Sequence, residues 1–129
     1  VVVIDDSIVR GTSSASIIQI LRASGAKKIS MIITYPPIRY PCYAGIDFPS
    51  QQELIAYQQA KGECSNTDIG TKVSNIIHAD YVAYNDTSNL SSAIGLSREE
   101  LCFSCSTGDY TPLGIKPIFR SRLQTKGED

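Results

Sequence analysis

The chain has 129 residues, enough for one domain with a hydrophobic core, and its 42% hydrophobic and 19% charged content is typical of a folded globular protein rather than a disordered one. Its net charge of -1 offers no basic surface for a nucleic acid or an anionic membrane. No apolar run approaches the ~20 residues that span a bilayer, and no signal peptide precedes the first apolar stretch, so a cytoplasmic location is expected.

The first predicted element lies at the start of the chain. Val1–Ile4 is a short run of β-branched residues, typical of a strand buried on both faces of a parallel sheet. Because such a strand needs neighbouring strands to pair with, we expect the chain to be a piece of a longer protein.

A helix and a second strand are predicted next. Helical periodicity begins at Ser13, and Gly25 is a typical helix stop. Four apolar residues are expected on one face of this helix: Ile17, Ile18, Ile20 and Leu21. The apolar run at 28–35 predicts a strand that ends at Pro36-Pro37. The order strand, helix, strand indicates a βαβ unit over residues 1–35, and therefore an α/β fold with a parallel sheet.

The later part, residues 50–129, is predicted to consist mostly of helices and loops. Ser50 and Glu53 have the spacing of a capping box, which predicts a helix running to about residue 60. The further predicted elements are a helix capped by Asn66 or Thr67 and ending near His78, a strand at Tyr81–Tyr84, a short helix at Asn89–Ile94 stopped by Gly95, and a helix beginning at Ser97. The tail after Gly108 has the composition of a loop.

The most specific pattern is the stretch VVVIDDSIVRGTSS at residues 1–14. Two acids follow the predicted strand, and a loop from Arg10 leads into the predicted helix. Ligands in open parallel sheets bind at the carboxyl ends of the strands. Gly11 lets the backbone approach a ligand closely, and the N–H groups and dipole of a helix N-terminus favour an anion. The hydroxyls of residues 12–14 add donors, so this loop is predicted to hold a phosphate group.

The two acids, Asp5 and Asp6, suit sugar hydroxyls or a Mg²⁺ ion better than a phosphate. A ligand with a phosphate at one end and ribose hydroxyls at the other fits both groups, and phosphoribosylpyrophosphate (PRPP), which travels with Mg²⁺, is such a ligand. The plainer alternative is that the acids cap a turn and the loop only connects two elements. The stretch has neither the Gly-x-x-x-x-Gly-Lys-[Ser/Thr] pattern of a P-loop nor the Gly-x-Gly-x-x-Gly pattern of a dinucleotide site.

Three separated stretches together resemble a known family. VVVIDDSIVRGTSS resembles the PRPP-binding motif of type I phosphoribosyltransferases, and most closely that of the glutamine phosphoribosylpyrophosphate amidotransferases. The stretches PPIRYPCYAGID at 36–47 and CFSCSTGDY at 102–110 resemble the same branch. The resemblance implies that residues 1–129 form part of a type I phosphoribosyltransferase domain, with the first half of that domain and a glutaminase domain outside this chain.

The resemblance also assigns roles around the first loop. It implies a site for PRPP, or for its ribose-5-phosphate part, made of Asp5, Asp6, Ser7, Arg10, Gly11, Thr12, Ser13 and Ser14. Asp5 and Asp6 would meet the ribose hydroxyls and Mg²⁺, and the segment 10–14 would hold the 5-phosphate. The family more usually has Thr where Ser13 stands, but the hydroxyl is kept. AMP or GMP is expected to compete for the same loop as a feedback inhibitor.

The chain contains four cysteines: Cys42, Cys64, Cys102 and Cys105. The spacing Cys102-x-x-Cys105 is used by zinc sites, iron–sulfur sites and redox pairs, while disulfides and reduced cysteines packed as small hydrophobes are the alternatives. Some members of the resembled family carry a structural [4Fe–4S] cluster, and Cys42, Cys102 and Cys105 match three of its ligands. The fourth ligand is then expected upstream of this chain, unless Cys64 serves.

The reaction implied by the resemblance is the first step of purine synthesis: ammonia released from glutamine attacks PRPP to give 5-phosphoribosylamine and pyrophosphate. No catalytic residue is expected within this chain, which would be inactive alone, and a homo-oligomer is usual in the family. The alternatives are another type I phosphoribosyltransferase, a PRPP-sensing regulator without activity, and a metal-binding structural module. The one histidine, His78, is expected to cap a helix end or lie at the surface.

Overall fold

A three-stranded parallel sheet organises the computed structural model, which describes residues 1–44, 50–60, 62 and 64–115. The strands are β1 (Val2–Asp5), β2 (Ser30–Ile33) and β3 (Tyr81–Tyr84), and they lie in the order β1-β2-β3. Both pairings are parallel, as the βαβ pattern predicted. β3 has the predicted bounds, whereas β2 is shorter than the predicted run 28–35.

Five α-helices and three single 3₁₀ turns connect and flank the strands in the described part of the chain. The helices are α1 (Thr12–Ala23), α2 (Ile55–Gln59), α3 (Asn66–Ile77), α4 (Thr87–Ile94) and α5 (Ser104–Thr107). The 3₁₀ turns span Gln51–Glu53, Arg98–Glu100 and Thr111–Leu113. Part of the tail after Gly108, which was predicted to be a loop, lies outside the described residues, so that expectation is tested only in part.

The hydrophobic core lies on one face of the sheet, where α1 contacts α3 and α3 packs on β3. Crossovers between parallel strands are right-handed, and with the order β1-β2-β3 both crossovers therefore pass over the same face. The core consists of Ile8, Ile18, Ile29, Met31, Ile33, Ile55, Ala56, Ile69, Val73, Ile77 and Val82. This arrangement places the start of α1 directly beyond the carboxyl end of β1.

The opposite face of the sheet is open, which corrects the prediction that the first strand is buried on both faces. Val2 and Ile4 are 65% and 70% exposed, and Tyr81, which shares the register row of Val2, is 51% exposed. The apolar face predicted for α1 is also too broad, since Ile18 is fully buried while Ile20 is 65% exposed. β-Branched composition alone does not distinguish a strand covered on one face from a strand covered on both.

The helix predicted from Ser50 is divided in two. Leu54 is in an extended conformation between the 3₁₀ turn and α2, with φ -76° and ψ 112°, and its side chain is fully buried. Ser50 does not cap the turn through its side chain; its hydroxyl instead donates to Glu53 Oε1 at 3.0 Å. Burial of Leu54 therefore overrides the helical pattern at this point.

Two other helix starts differ from their predictions. Ser65 caps α3 in a reciprocal capping box with Asp68, while Asn66 donates its side-chain amide to the Asn85 carbonyl oxygen at 3.0 Å. α4 begins at Thr87, earlier than predicted, because Asp86 caps it by accepting a hydrogen bond from the Asn89 N–H. No helix in the described ranges is long and apolar enough to cross a membrane.

Candidate functional site

The two acids lie where β1 leaves the sheet. The Thr34 and Tyr35 N–H groups donate to the Asp5 and Asp6 carbonyl oxygens, each at 3.0 Å, so pairing with the β2 segment fixes both backbones. The Asp6 N–H donates to Asp5 Oδ1 at 3.0 Å, and the Ser7 hydroxyl donates to Asp6 Oδ1 at 2.6 Å. Asp6 is exposed and Asp5 is partly buried. Two acidic residues, each with a hydrogen-bonded carboxylate, therefore follow one another at the carboxyl end of the strand.

Gly11 forms the turn between this strand end and α1. It is buried and has φ +82°, the left-handed conformation that side chains disfavour. A Cβ atom on Gly11 would lie 2.8 Å from Ile55 Cδ1 and 3.3 Å from Ile77 Cγ2. The Ile55 N–H also donates to the Val9 carbonyl oxygen at 2.9 Å, which fastens the loop to α2. The left-handed turn therefore favours glycine, and any side chain here would also force the buried end of Ile55 to move.

The N-terminus of α1 is open to an anion. Its N-cap is Gly11, so no side chain caps the helix, and the first turn contains no acidic residue. The first α-helical hydrogen bond runs from the Ala15 N–H to the Gly11 carbonyl oxygen at 2.9 Å, which leaves the preceding N–H groups for a ligand. Thr12 and Ser13 are exposed, whereas Ser14 is only 4% exposed. Two of the three predicted hydroxyl donors are thus accessible from solvent.

Arg10 forms a contact that sequence reasoning missed. Its Nε donates to Glu53 Oε2 at 3.0 Å, and both side chains are about half exposed. Hydrogen bonds from the Ser50 hydroxyl and then from Arg10 hold the pKa of the Glu53 carboxyl below its ordinary value. Glu53 therefore holds the guanidinium beside the loop, and no local pattern links two residues that are 43 positions apart.

The three cysteines assigned to a cluster lie in one region. Cys102 precedes α5 and Cys105 lies within it, and the Arg39 and Tyr40 N–H groups both donate to the Cys105 carbonyl oxygen at 2.9 Å. Burial raises the pKa of the Cys105 thiol, and the nearby Cys42 and Cys102 raise it further. In the ranges that the structure describes, however, no three His, Cys, Asp or Glu side chains form a group that could hold a metal ion.

Two tyrosine side chains, to which the sequence analysis gave no role, connect the cysteine segments, that is, the loop that contains Cys42 and the segment that contains Cys102 and Cys105. The Tyr35 hydroxyl lies 3.5 Å from Cys105 Sγ and donates to the Cys102 carbonyl oxygen at 3.2 Å. The Tyr110 hydroxyl donates to the Pro41 carbonyl oxygen at 2.6 Å. These bonds join the loop after β2 to the segment around α5.

The two remaining candidates lie elsewhere. Cys64 lies between α2 and α3, where Lys72 Nζ donates to its sulfur at 3.5 Å, and none of the four cysteines is in a disulfide. His78 is exposed and ends α3 with φ 61°, as expected for a residue that caps a helix end.

No family model matches the chain. The curated proteins that it resembles are amidophosphoribosyltransferases. It is 40% identical over 117 residues to amidophosphoribosyltransferase 1 of Arabidopsis thaliana, covering 91% of this chain and 19% of the relative. It is 37% identical over 132 residues to the Haemophilus influenzae amidophosphoribosyltransferase, covering 100% of this chain and 24% of the relative. The chain thus spans less than a quarter of the length of these relatives and matches a C-terminal portion of them.

The comparison with solved structures points to the same family. The glutamine PRPP amidotransferase from B. subtilis, solved in complex with ADP and GMP, superposes with a TM-score of 0.70 at 35% identity, over 84% of this chain and 23% of that one. The three-stranded parallel sheet with its helices is accordingly a partial copy of the fold of these relatives.

Proposed function

We infer that this chain, which belongs by sequence and by fold to the amidophosphoribosyltransferases, supplies the ribose-5-phosphate side of a PRPP site. The observation that carries this inference is the junction of β1 and α1. There, two consecutive acidic residues end the strand, and five positions later a left-handed glycine begins a helix whose N-terminus no side chain caps. The N–H groups suit a phosphate, and the carboxylates suit sugar hydroxyls.

Each part of the junction has a proposed role. Gly11 and the N–H groups of the first turn of α1 hold the 5-phosphate, together with the hydroxyls of Thr12 and Ser13. Arg10 lies beside them and adds positive charge, while Ser7 and the buried Ser14 fix the loop. These assignments follow from the exposed donors and the absence of acid in the first turn.

The two carboxylates have the complementary role. Asp5 and Asp6 accept hydrogen bonds from the ribose hydroxyls and contribute oxygen ligands to Mg²⁺. Two carboxylates are not a complete set of ligands, and Mg²⁺ usually keeps water and phosphate oxygens as its other ligands. The ion is therefore proposed to arrive with PRPP and to bind the protein only through this pair.

The reaction of the complete protein is then a displacement at C1 of the ribose. The lone pair of ammonia forms the new C1–N bond while the C1–O bond breaks, and pyrophosphate leaves with that electron pair. The attacking nitrogen loses a proton to give the neutral amine, 5-phosphoribosylamine. This chain contributes position and charge, since it holds the ribose and the 5-phosphate while the leaving group departs.

Other components are proposed to lie outside the chain. A glutaminase domain would supply ammonia, the first half of the transferase domain would hold pyrophosphate, and residues 1–129 would complete that domain within a homo-oligomer. AMP or GMP would compete with PRPP, because a nucleotide carries the same 5-phosphate. The solved complex of the B. subtilis relative with ADP and GMP supports this proposal.

We further propose that Cys42, Cys102 and Cys105 provide three ligands of a structural [4Fe–4S] cluster. The proposal is supported by the proximity of Cys42 and Cys102 to Cys105 and by the CxxC spacing. As described, the three side chains do not fit a complete site, so assembly requires their movement and a fourth ligand from outside the chain. Cys64 is not included.

The test of the PRPP site uses binding rather than turnover. Asp6→Asn is expected to weaken Mg²⁺–PRPP affinity by about tenfold to a hundredfold, since hydrogen bonds to charged groups are worth roughly 1.5–3 kcal/mol. Glu99→Gln, which removes an exposed carboxylate from the 3₁₀ turn after α4, is the matched control and should leave the affinity unchanged. Equal affinity in the wild type and both variants would indicate that the loop no longer binds PRPP and that the chain is a structural module.

Activity distinguishes the remaining alternatives. The complete protein should form glutamate and pyrophosphate in step from glutamine and PRPP, whereas the 129-residue chain with ammonia, PRPP and Mg²⁺ should release no pyrophosphate. Binding of PRPP without either product would indicate a sensor, and activity with a purine or pyrimidine base would indicate a different phosphoribosyltransferase.

A further inference from the structure

A second concave site lies at the carboxyl ends of β2 and β3. This cavity has a volume of about 230 Å³ and lies where the segments after the two strands meet the starts of α3 and α4 and the end of α5. Pro36 and Pro37 line it on the side of β2, and Asn66 and Thr87 line it at the two helix starts. Residues 1–14 do not line it, so it is separate from the β1–α1 junction.

Two arginines give the cavity its positive charge. Arg39 Nε and Nη2 both donate to the Ser106 carbonyl oxygen, at 3.2 and 3.1 Å, which fixes the guanidinium and leaves Nη1 for another acceptor. The guanidinium of Arg98, in the 3₁₀ turn after α4, forms no hydrogen bond or ion pair with the residues that the structure describes. The guanidinium of Arg39 is thus already fixed in position, and that of Arg98 is available to bind an anion.

The single carboxylate in the lining is occupied by its own helix. Asp86 caps α4: its Oδ1 accepts from the Asn89 N–H and from the Ser88 hydroxyl, each at 2.7 Å, and its Oδ2 accepts from Asn89 Nδ2 at 3.0 Å. These bonds also hold the pKa of the Asp86 carboxyl below its ordinary value. The lining therefore keeps a formal charge of +1, to which the N-termini of α3 and α4 add the positive ends of their dipoles.

The lining also contains hydroxyls. The Thr87 hydroxyl has no partner among the described residues. Ser106 is 4% exposed, and its hydroxyl lies near that of Tyr35 without a hydrogen bond of normal geometry. A buried hydroxyl without a partner in a basic cavity is a donor that an anion can use.

We propose that this cavity binds a tetrahedral oxyanion, either inorganic phosphate or the phosphate group of a small phosphomonoester, through Arg39 Nη1, Arg98 and the Thr87 hydroxyl. A guanidinium group is planar and can donate two parallel hydrogen bonds to two oxygens of one phosphate. The volume of about 230 Å³ is below the roughly 300–1,000 Å³ of pockets that enclose a drug-sized ligand, so it suits a phosphate group rather than a whole nucleotide.

The experiment is an amide ¹H–¹⁵N titration of the 129-residue chain at constant ionic strength, first with inorganic phosphate and then with ribose 5-phosphate. The Thr87 and Thr107 amides report on the cavity, and the Gly11 and Ser13 amides report on the β1–α1 junction. Both pairs are expected to shift at about 10 mM phosphate, a weak-binding range for a small anion. Whichever of the two titrants shifts the Thr87 and Thr107 amides at the lower concentration is the better ligand of the cavity, which distinguishes inorganic phosphate from a phosphomonoester.

Arg98→Gln should weaken the response at the cavity by about tenfold, because one charged donor is lost from a partly solvated site. Arg98→Lys should retain much of the response, and Lys27→Gln, which removes an exposed charge near the end of α1, should retain all of it. Arg98 is exposed, so these variants should fold normally, which far-ultraviolet circular dichroism checks.

The proposal is overturned if Thr87 and Thr107 do not respond to either titrant, or if Arg98→Gln responds like the wild type. A response at Gly11 and Ser13 without one at the cavity would reject this second site and leave the proposed PRPP site intact. A response at the cavity alone would support the second site and count against phosphate binding at the β1–α1 junction.

Discussion

The β1–α1 junction and the cysteine region differ in how their functional groups are brought together. At the junction, the acids, the glycine and the hydroxyls all lie within ten residues, between Asp5 and Ser14, and the change from strand to helix orders them. In the cysteine region, hydrogen bonds such as that from Tyr35 to Cys102, 67 positions apart, hold two distant segments together. A site made of residues close in sequence needs correct local geometry, whereas a site made of distant segments depends on the contacts that hold those segments together.

The largest expected effect concerns the cysteine region. In the complete protein purified without oxygen, Cys105→Ser should abolish the proposed iron–sulfur cluster, because a structural cluster needs all of its thiolate ligands. Cys64→Ser is the matched control and should retain it. Iron and sulfide analysis and the electron paramagnetic resonance of the reduced protein measure the outcome. A cluster that survives Cys105→Ser would remove the metal role from this region and leave a packing role only.

The second prediction concerns the junction. Gly11→Ala should lower the free energy of unfolding by about 3 kcal/mol, since it adds left-handed strain to a clash with Ile55 in a buried position. Gly25→Ala isolates the strain, because Gly25 has φ +91° and no atom within 4 Å of a built Cβ, and should cost about 1 kcal/mol. Urea denaturation provides both values, and equal losses would show that packing beneath the loop contributes little.

A smaller effect is expected where the cysteine segments are joined. Tyr110→Phe removes the hydrogen bond to the Pro41 carbonyl oxygen and should lower the free energy of unfolding by about 1 kcal/mol. Tyr81→Phe, at a half-exposed residue whose hydroxyl has no hydrogen-bond partner in the described chain, should change it by less than about 0.5 kcal/mol. If the two variants unfold at the same urea concentration, this hydrogen bond does not hold the segments together.

The smallest effect concerns the far end of α1. Asp80 Oδ2 accepts from the Ile29 N–H at 2.7 Å and from Arg22 Nη2 at 2.5 Å, and these bonds, that of Ile29 first, lower the pKa of the Asp80 carboxyl. The charged carboxylate is therefore stabilising above pH 3.8, its ordinary pKa, and this contribution is lost as the pH falls through the lowered value.

Asp80→Asn should accordingly be less stable than the wild type at neutral pH, and the two should converge in acid. Urea midpoints measured across the acid range test this. A difference that persists unchanged into strong acid would mean that the asparagine disturbs packing, rather than that the charge anchors the helix supporting the junction.

Much of the fold followed from local patterns. The βαβ unit, the bounds of β3 and the end of α4 at Gly95 were predicted, because strand and helix periodicities and stop signals are properties of neighbouring residues. The break at Leu54 and the cap at Ser65 were not predicted. In both cases a competing helical or capping signal lay within a few residues, and burial or a reciprocal hydrogen bond decided between them.

The sequence by itself determined the junction: which residues follow β1, that a glycine precedes α1, and that no acid lies in its first turn. Only the tertiary structure decided that Ile55 and Ile77 pack against that glycine, that Glu53 holds Arg10, and that Arg39 and Arg98 share a cavity. The physical reason is the distance along the chain over which each interaction acts. Backbone conformation and capping involve residues only a few positions apart. Packing and ion pairing join residues whose distance in space the order of the chain does not reveal.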